Sequence, residues 1–249
     1  MPVTGRTERK REQRRNDILK AAEKLFFSRG YDEVSMDSIA REIDLGRSTL
    51  YIYFENKEEL FFAIVLRGAI ILNFLIKDEI KEGKTAVKKL SGFQKAYYKF
   101  SRVYPGYLQA FNYFFSGRFD FYGVDADIDS RSPEREIDGD YCETCKKQVD
   151  GGYFDIQVPK LSVTGYIKEI LKVRKETLEM LRDSIELGIS EGTIRSDMNP
   201  SELFVLMMII MGGIDNMSPD LKDMLDSDGI SNEKFLGDIW NFVALMVSR

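Results

Sequence analysis

The sequence predicts an all-α protein, and three observations lead to that expectation. Apolar residues recur at the three- and four-residue spacing of a buried helix face through most of the chain. Glycine, proline or a capping side chain stands where these periodic segments start or stop. In a chain of 249 residues, 43% hydrophobic and 31% charged residues are typical of a folded protein whose core needs no disulfide framework.

Two short helices follow a longer one at the start of the chain. The first predicted helix runs from Arg9 to Arg29 and stops at Gly30, a residue that readily ends a helix. The second begins after Ser35, a favourable N-cap, and ends near Asp44. Its apolar positions share one face, so this helix is expected to pack against the first.

A tight turn and a third helix come next. Asp44–Gly46 suits a turn because Asp tolerates left-handed backbone angles and Gly accepts almost any. Arg47–Phe54 then forms a short helix, which completes a helix-turn-helix candidate. Asn56 with Glu59 three residues later is a start signal for a long helix over Lys57–Lys81.

The remainder of the chain alternates between helical patterns and one irregular stretch. Gly117–Val163 has weak periodicity and contains Asp150-Gly-Gly152 between β-prone stretches, so we expect a loop or hairpin insertion near 117–163. Further helices are predicted at about 85–101, 105–116, 164–190, 200–217 and 232–247.

Charge is distributed unevenly along the chain. The formal net charge is −5, but residues 1–30 hold nine Lys and Arg against four Asp and Glu, which leaves −10 on the remainder. A basic end joined to an acidic body is the pattern expected when that end meets phosphates.

The residue inventory argues against catalysis. The chain has no histidine, which removes His-based triads, imidazole bases and His-ligated metal sites, so we expect no enzyme and no cofactor. Cys142 and Cys145 are too few for a disulfide framework and fit a reducing compartment. Their spacing leaves open a redox pair, or a metal site shared across a dimer or completed by Asp140 or Asp150.

Export and membrane insertion are not expected. The polar, basic start Met1–Lys10 is not followed by the apolar segment of a secretory signal. The apolar run Leu203–Ile214 is shorter than the roughly 20 residues that cross a bilayer. We therefore expect a cytoplasmic protein without a membrane partner.

One continuous stretch of the chain closely resembles the DNA-binding domain of the TetR (tetracycline repressor) family. The resemblance spans about Thr7 to Leu66 and agrees in order and spacing at many positions. It rests on Val34-Ser-Met-Asp-Ser-Ile-Ala-Arg-Glu-Ile43 and on Leu45-Gly-Arg-Ser-Thr-Leu-Tyr-Ile-Tyr-Phe-Glu-Asn-Lys-Glu-Glu-Leu60.

The resemblance implies roles for seven side chains toward a palindromic double-stranded operator. Leu50 and Phe54 are expected to point inward, which leaves the other side of the third helix for DNA. Base edges or nearby phosphates would be approached by Arg47, Ser48, Thr49 and Tyr53, and the backbone held by Ser35, Tyr51 and Lys57.

Three positions depart from the family pattern. Asp44 stands where the family commonly has a turn glycine, Gly46 where it usually has serine, and Tyr53 where histidine is frequent. These departures are expected to change the operator more than the fold.

The carboxyl-terminal part also resembles the family. Glu186-Leu-Gly-Ile-Ser-Glu-Gly-Thr-Ile-Arg-Ser-Asp-Met-Asn-Pro200 is similar to the link between the family's seventh and eighth helices. The resemblance implies that the apolar helix after Pro200 and the last helix pack on a second copy as a four-helix homodimer interface. The alternative is a helix buried within one chain.

Aromatic residues are concentrated in the middle of the chain. Residues 93–122 hold 13 of the 29 Phe and Tyr residues. Ordinary core packing explains such spacing, and so does a cavity for a lipophilic or aromatic effector, as the resemblance implies. The candidate lining residues are Phe93, Tyr97, Phe100, Tyr107, Phe111 and Phe114.

The resulting expectation has two domains. Residues 1–60 form a three-helix helix-turn-helix domain that binds DNA, and residues 61–249 form a helical domain that binds effector and dimerises. The function implied is that of a transcriptional regulator, in the usual case a repressor released by the effector. The rival is a redox- or metal-responsive DNA-binding regulator that senses through Cys142 and Cys145.

Overall fold

The computed structural model describes residues 4–121, 156–215 and 217–247, and within these ranges the regular structure is entirely helical. This confirms the predicted all-α class. The helices are α1 (Thr4–Arg29), α2 (Met36–Glu42), α3 (Arg47–Tyr53), α4 (Lys57–Ile80), α5 (Ala86–Val103), α6 (Pro105–Phe114), α7 (Val163–Ser190), α8 (Pro200–Asp215), α9 (Pro219–Ser227) and α10 (Asn232–Val247).

Two features of the helices differ from the sequence prediction. Helix α1 begins at Thr4, five residues before the predicted start at Arg9. Helix α9 was not predicted, although Pro219 at its first turn and Gly229 just beyond it, at φ 68°, are ordinary start and stop signals. The sequence Pro219–Ser227 was missed because nine residues are too few for a convincing periodicity.

The predicted insertion lies largely outside the described residues. Its flanks, residues 117–121 and 156–162, are turn and irregular backbone, as expected there. The proposed hairpin at Asp150-Gly-Gly152 falls outside the described part of the chain and stays a prediction.

The chain divides by packing into two compact units. Unit 1 comprises residues 1–75 and 97–176, and unit 2 comprises residues 76–96 and 177–249. These units group residues by contact, so the proposed functional boundary between residues 60 and 61 remains a prediction.

Helix α4 is the central element of unit 1. Every residue from Glu59 to Asn73 is buried, which is the pattern of a helix covered on all sides. Helix α6 approaches it closely at Gly68, where an added Cβ would lie 3.0 Å from Tyr107 Cβ. At Gly106 an added Cβ would lie 2.3 Å from the Phe27 ring, so glycine also permits α6 to meet α1.

A buried ion pair joins the three helices of this core. Arg67 of α4 is only 2% exposed and donates to Glu23 of α1 at 2.6 Å and to Asn16 Oδ1 at 2.6 Å. The Tyr107 hydroxyl of α6 donates to the same Glu23 oxygen at 2.8 Å. Burial lowers the pKa of Arg67, but the charge of Glu23, the Tyr107 oxygen and the hydrogen bonds to both together outweigh it, so the pKa lies above its usual value.

Helix α4 also has the length and apolarity of a membrane span. Among the described residues it is the one single helix that does, and 94% of its most apolar window is buried inside the protein. Core helices of folded proteins share these properties, and the buried Arg67 pair fits that interpretation.

In unit 2, helices α8 and α10 leave large apolar side chains uncovered. Leu203, Met207 and Met211 form one buried stripe on α8. The remaining surface of α8 and much of α10 is exposed and apolar at Val205, Leu206, Ile209, Phe242, Leu245 and Met246. The alternative of a helix buried wholly within one chain therefore does not describe α8.

The buried ion pair gives a stability prediction. Replacing Arg67 with Met leaves the Glu23 carboxylate buried without its cation, and we expect the free energy of unfolding to fall by about 3–5 kcal/mol. Urea denaturation followed by circular dichroism measures this loss. Adding Glu23→Gln to Arg67→Met is expected to recover part of it, because the uncompensated charge is gone.

An exposed pair supplies the matched control. Arg182 and Glu186 of α7 form a 2.9 Å ion pair on the surface, with side chains 59% and 49% exposed. Arg182→Met is expected to cost no more than about 1 kcal/mol. Equal losses from Arg67→Met and Arg182→Met would contradict the central place assigned to the buried pair.

Candidate nucleic-acid interface

Helix α2 is held at its start by a reciprocal cap. Ser35 Oγ accepts a hydrogen bond from the Ser38 backbone N–H at 3.2 Å, and Ser38 Oγ accepts one from the Ser35 N–H at 3.0 Å. The predicted N-cap role of Ser35 is confirmed. Because Ser35 Oγ serves the cap as an acceptor, its own proton remains available to an external acceptor such as a phosphate oxygen.

The turn between α2 and α3 depends on one unusual backbone conformation. Asp44 has φ 52°, the left-handed region, as its residue type allowed us to predict. The Leu45 N–H donates to the Ala40 carbonyl at 2.9 Å, which closes the end of α2. Asp44 thus takes the conformation that a glycine would adopt more easily.

Helix α3 separates its buried and exposed residues as predicted. Leu50 and Phe54 are fully buried. Arg47, Ser48 and Tyr51 are exposed, and Thr49 and Tyr53 are half-buried, so none of the five polar or aromatic candidates is a core residue. A seven-residue helix that turns this many donors toward solvent can present them together to one groove.

Arg47 has a partner that the sequence reading missed. Its Nε lies 2.7 Å from Asp37 Oδ1 of α2, and the two side chains are 65% and 47% exposed. Surface pairs of this kind contribute little to stability. Arg47 can therefore exchange Asp37 for a base edge or phosphate at small cost, but it is not a free cation beforehand.

Lys57 is fixed at the start of α4. Its Nζ donates to the Tyr31 carbonyl at 3.1 Å and lies 4.0 Å from the centre of the Tyr31 ring. Burial and the nearby charge of Glu58 raise the pKa of Tyr31 to about 12, so that phenol stays neutral. The ammonium has three protons, and those not used by Tyr31 can still reach a phosphate.

The start of α4 also has the predicted cap. The Glu59 N–H donates to Asn56 Oδ1 at 2.7 Å, and Glu59 Oε2 accepts from the Glu55 N–H at 2.6 Å. Burial raises the pKa of Glu59. This cap fixes Lys57 relative to the end of α3.

Arg15 is a structural contact of this region that sequence reasoning missed. Its guanidinium donates to the Pro159 carbonyl at 3.1 Å, to the Val158 carbonyl and to the Tyr166 hydroxyl. It also lies 4.8 Å from the centre of the Phe54 ring, directly after α3. Its position on the face of α1 that also carries Ile18 and Ala22 was the available signal, since a charge on an apolar face requires buried partners.

The six candidate effector-lining residues occupy different surroundings. Phe93 belongs to unit 2 and the other five to unit 1. Phe93, Phe100, Tyr107 and Phe114 are buried, whereas Tyr97 and Phe111 are half-buried.

Two of these residues have clear packing roles. Tyr107 donates to Glu23, and burial together with that carboxylate raises its pKa far above its usual value. Phe114 contacts the rings of Phe62 and Phe121, with centroids 5.1 and 4.6 Å away. For Tyr107 and Phe114, core packing explains the spacing without a ligand.

The cysteine pair cannot be placed. Cys142 and Cys145, with Asp140 and Asp150, lie outside the described residues. In the described ranges there is no group of three Cys, Asp or Glu side chains that could hold a metal ion. The redox or metal role stays a prediction from the sequence.

Residues 18–64 match the model of a known family, described as bacterial regulatory proteins of the tetR family. This segment begins within α1 and ends within α4, so it contains the whole helix-turn-helix. It agrees with the resemblance stated from Val34–Ile43 and Leu45–Leu60.

Two curated proteins are similar over part of the chain. The HTH-type transcriptional regulator YhgD of Bacillus subtilis is 46% identical over 48 residues, which are 19% of this chain and 25% of that protein. The HTH-type transcriptional activator FasR of Mycolicibacterium smegmatis is 29% identical over 90 residues, 36% of this chain and 41% of that one. The chain thus spans less than half the length of either relative.

A solved structure shares the fold over nearly the full length. The ketosteroid transcriptional regulator KstR2 of Mycobacterium tuberculosis superposes with a TM-score of 0.60 and 14% identity, covering 95% of each chain. At this identity the likeness concerns the fold alone. It extends the agreement from the helix-turn-helix to the helices behind it.

Proposed function

We propose that this chain, whose residues 18–64 match the model of the tetR family of bacterial regulatory proteins, is a DNA-binding transcriptional repressor. A dimer binds a palindromic operator in the cytoplasm and leaves it when a small lipophilic or aromatic effector binds. The observation that carries the proposal is α3, where Leu50 and the adjoining Phe54 are buried while Arg47, Ser48 and Tyr51 face solvent.

The proposed binding mode follows from the two classes of DNA contact. Arg47, Ser48, Thr49 and Tyr53 on α3 approach base edges in the major groove, where hydrogen-bond patterns differ between base pairs. Ser35, Tyr51 and Lys57 contact phosphates and fix the orientation of α3. Two copies place their α3 helices in successive major grooves, roughly 34–36 Å apart.

Dimerisation is supported by the uncovered apolar surface of α8 and α10. Exposed large apolar side chains can mark interaction sites when they cluster, and here several of them fall on the two helices that the family resemblance assigns to the dimer. A second copy of the same surface would cover Ile209 and Phe242 and form a four-helix interface.

The proposed effector site draws on the aromatic residues that remain accessible. Among the candidate residues, Tyr97 and Phe111 keep accessible surface, and an aromatic-rich helical segment suits a lipophilic ligand. KstR2, which shares the fold, is a ketosteroid transcriptional regulator. A ligand of that general polarity is the first class to examine for this chain.

The DNA-binding proposal predicts the cost of two substitutions. On an operator selected from random DNA, Arg47→Ala and Tyr53→Phe are each expected to weaken binding by about 1–3 kcal/mol, because each removes a contact to a base. Fluorescence anisotropy of a labelled operator measures Kd. Arg102→Ala, an exposed arginine on α5, is the control and should leave Kd unchanged. Wild-type affinity in both α3 variants would contradict the assignment.

The dimer proposal predicts a change of oligomeric state. Ile209→Glu together with Phe242→Glu places four charges in the interface of two copies, and we expect sedimentation velocity to show monomers. Val87→Glu on α5 is the matched control, since Val87 is 61% exposed and Ile209 is 65% exposed. A dimer that survives the α8 and α10 substitutions would place the interface elsewhere.

The induction proposal predicts reciprocal coupling. Compounds are screened for release of labelled operator, starting with steroids and long-chain carboxylic acids. For each compound that releases the operator, Kd is then measured by calorimetry with and without saturating operator. Operator is expected to weaken compound binding by the same factor by which the compound weakens operator binding. Equal compound affinity in both states would refute induction while leaving DNA binding intact.

A further inference from the structure

The segment that contains the helix-turn-helix carries a negative net charge, which does not favour binding to a polyanion such as DNA. Residues 31–60 hold three Lys and Arg against eight Asp and Glu, a net charge of −5. Binding to duplex DNA draws much of its free energy from counterions released by basic side chains at phosphates. To bind DNA, a segment with this composition needs positive charge from another element of the protein.

The first turns of α1 have that charge and are exposed. All eight residues from Thr7 to Arg14 are helical and exposed, whereas the next two, Arg15 and Asn16, are buried. At 1.5 Å per residue this exposed length is about 12 Å. It also lies before residues 18–64, the part that matches the family model.

The charges on these turns are segregated. Lys10, Arg11 and Arg14 are spaced to share one side of the helix, Glu12 lies on the opposite side, and Glu8 lies at the edge next to Arg11. Within the described residues none of the three basic side chains forms an ion pair. A free basic face is therefore available to an external anion.

The position of these turns favours DNA over other anionic partners. Arg15, the first buried residue after them, contacts Phe54 directly after α3. The basic turns therefore directly precede the residue at which α1 contacts the end of α3. Thr7–Arg14 contains no apolar side chain, so it has nothing to insert into a lipid surface.

We propose that the basic face formed by Lys10, Arg11 and Arg14 is a second DNA-contact element, which binds backbone phosphates beside the groove read by α3. The inference rests on the proposed DNA-binding function and adds residues outside the helix-turn-helix to it. These contacts are sequence-independent, and they supply the electrostatic attraction that residues 31–60 lack.

The test uses the full-length protein and a 30-base-pair duplex that carries the selected operator. Kd is measured by fluorescence anisotropy over a range of NaCl concentrations for wild type and for the triple variant Lys10→Gln, Arg11→Gln, Arg14→Gln. The plot of log Kobs against log salt has a negative slope, and removing one basic side chain from a phosphate reduces the magnitude of that slope by about 0.9. We expect the slope to fall by about 2 to 3 for each bound copy.

A charge-matched control separates direct phosphate binding from long-range attraction. The variant Lys84→Gln, Lys88→Gln, Lys222→Gln removes three exposed charges from unit 2 and should keep the wild-type slope. Thermal melting verifies that both variants fold, as expected for exposed residues. An unchanged slope in the α1 variant, or an equal fall in the control, would overturn the inference.

The two proposals fail in different ways. If wild type binds no duplex in the selection, the DNA-binding function itself is wrong, and the inference falls with it. If wild type binds and the α1 variant retains the full salt dependence, only the second DNA-contact element is wrong. Binding of the wild type to anionic vesicles that disappears in the α1 variant, while its DNA slope is kept, would assign the face to a membrane instead.

Discussion

Unit 1 depends on one guanidinium held away from water. Arg67 in the middle of α4 donates to Glu23 and Asn16 of α1, and Tyr107 of α6 joins the cluster through Glu23. Removing an ion pair from water costs several kcal/mol, which the attraction between the two charges and their hydrogen bonds must offset. The three helices are therefore fixed in one register, and the glycines that let α6 approach are part of that constraint.

This constraint limits how a signal can reach the helix-turn-helix. A ligand that displaced α6 must carry α1 along through Glu23, or break a buried charge contact. Arg15 forms a second connection, from Tyr166 at the start of α7 to Phe54 at the end of α3. Both connections act on α1, and because packed contacts switch between arrangements rather than deform continuously, the proposed effector would select between two arrangements of the unit.

Sequence predicts local structure well here because its causes are local. The cap at Ser35, the left-handed Asp44 and the paired contacts of Asn56 and Glu59 are each decided within a few residues. The choice of partners for buried charges is not decided locally. The partner of Arg67 lies 44 residues away along the chain and that of Arg15 lies 143. Aromatic spacing likewise could not separate packing from ligand binding, because Phe114 in a core and Phe114 in a cavity have the same pattern.

The acidic surroundings of α3 have a consequence for specificity. Non-specific affinity rises with the number of phosphate contacts, whereas discrimination among sequences comes from base contacts. A helix-turn-helix segment of net charge −5 gains little binding free energy from phosphates alone. Its Arg47 is paired with Asp37 in the absence of DNA. At an incorrect DNA sequence the Arg47–Asp37 ion pair would be retained, and little binding free energy would be gained. In the proposed binding mode a base of the correct operator replaces Asp37, which would raise the ratio of specific to non-specific binding even though the total affinity is lower.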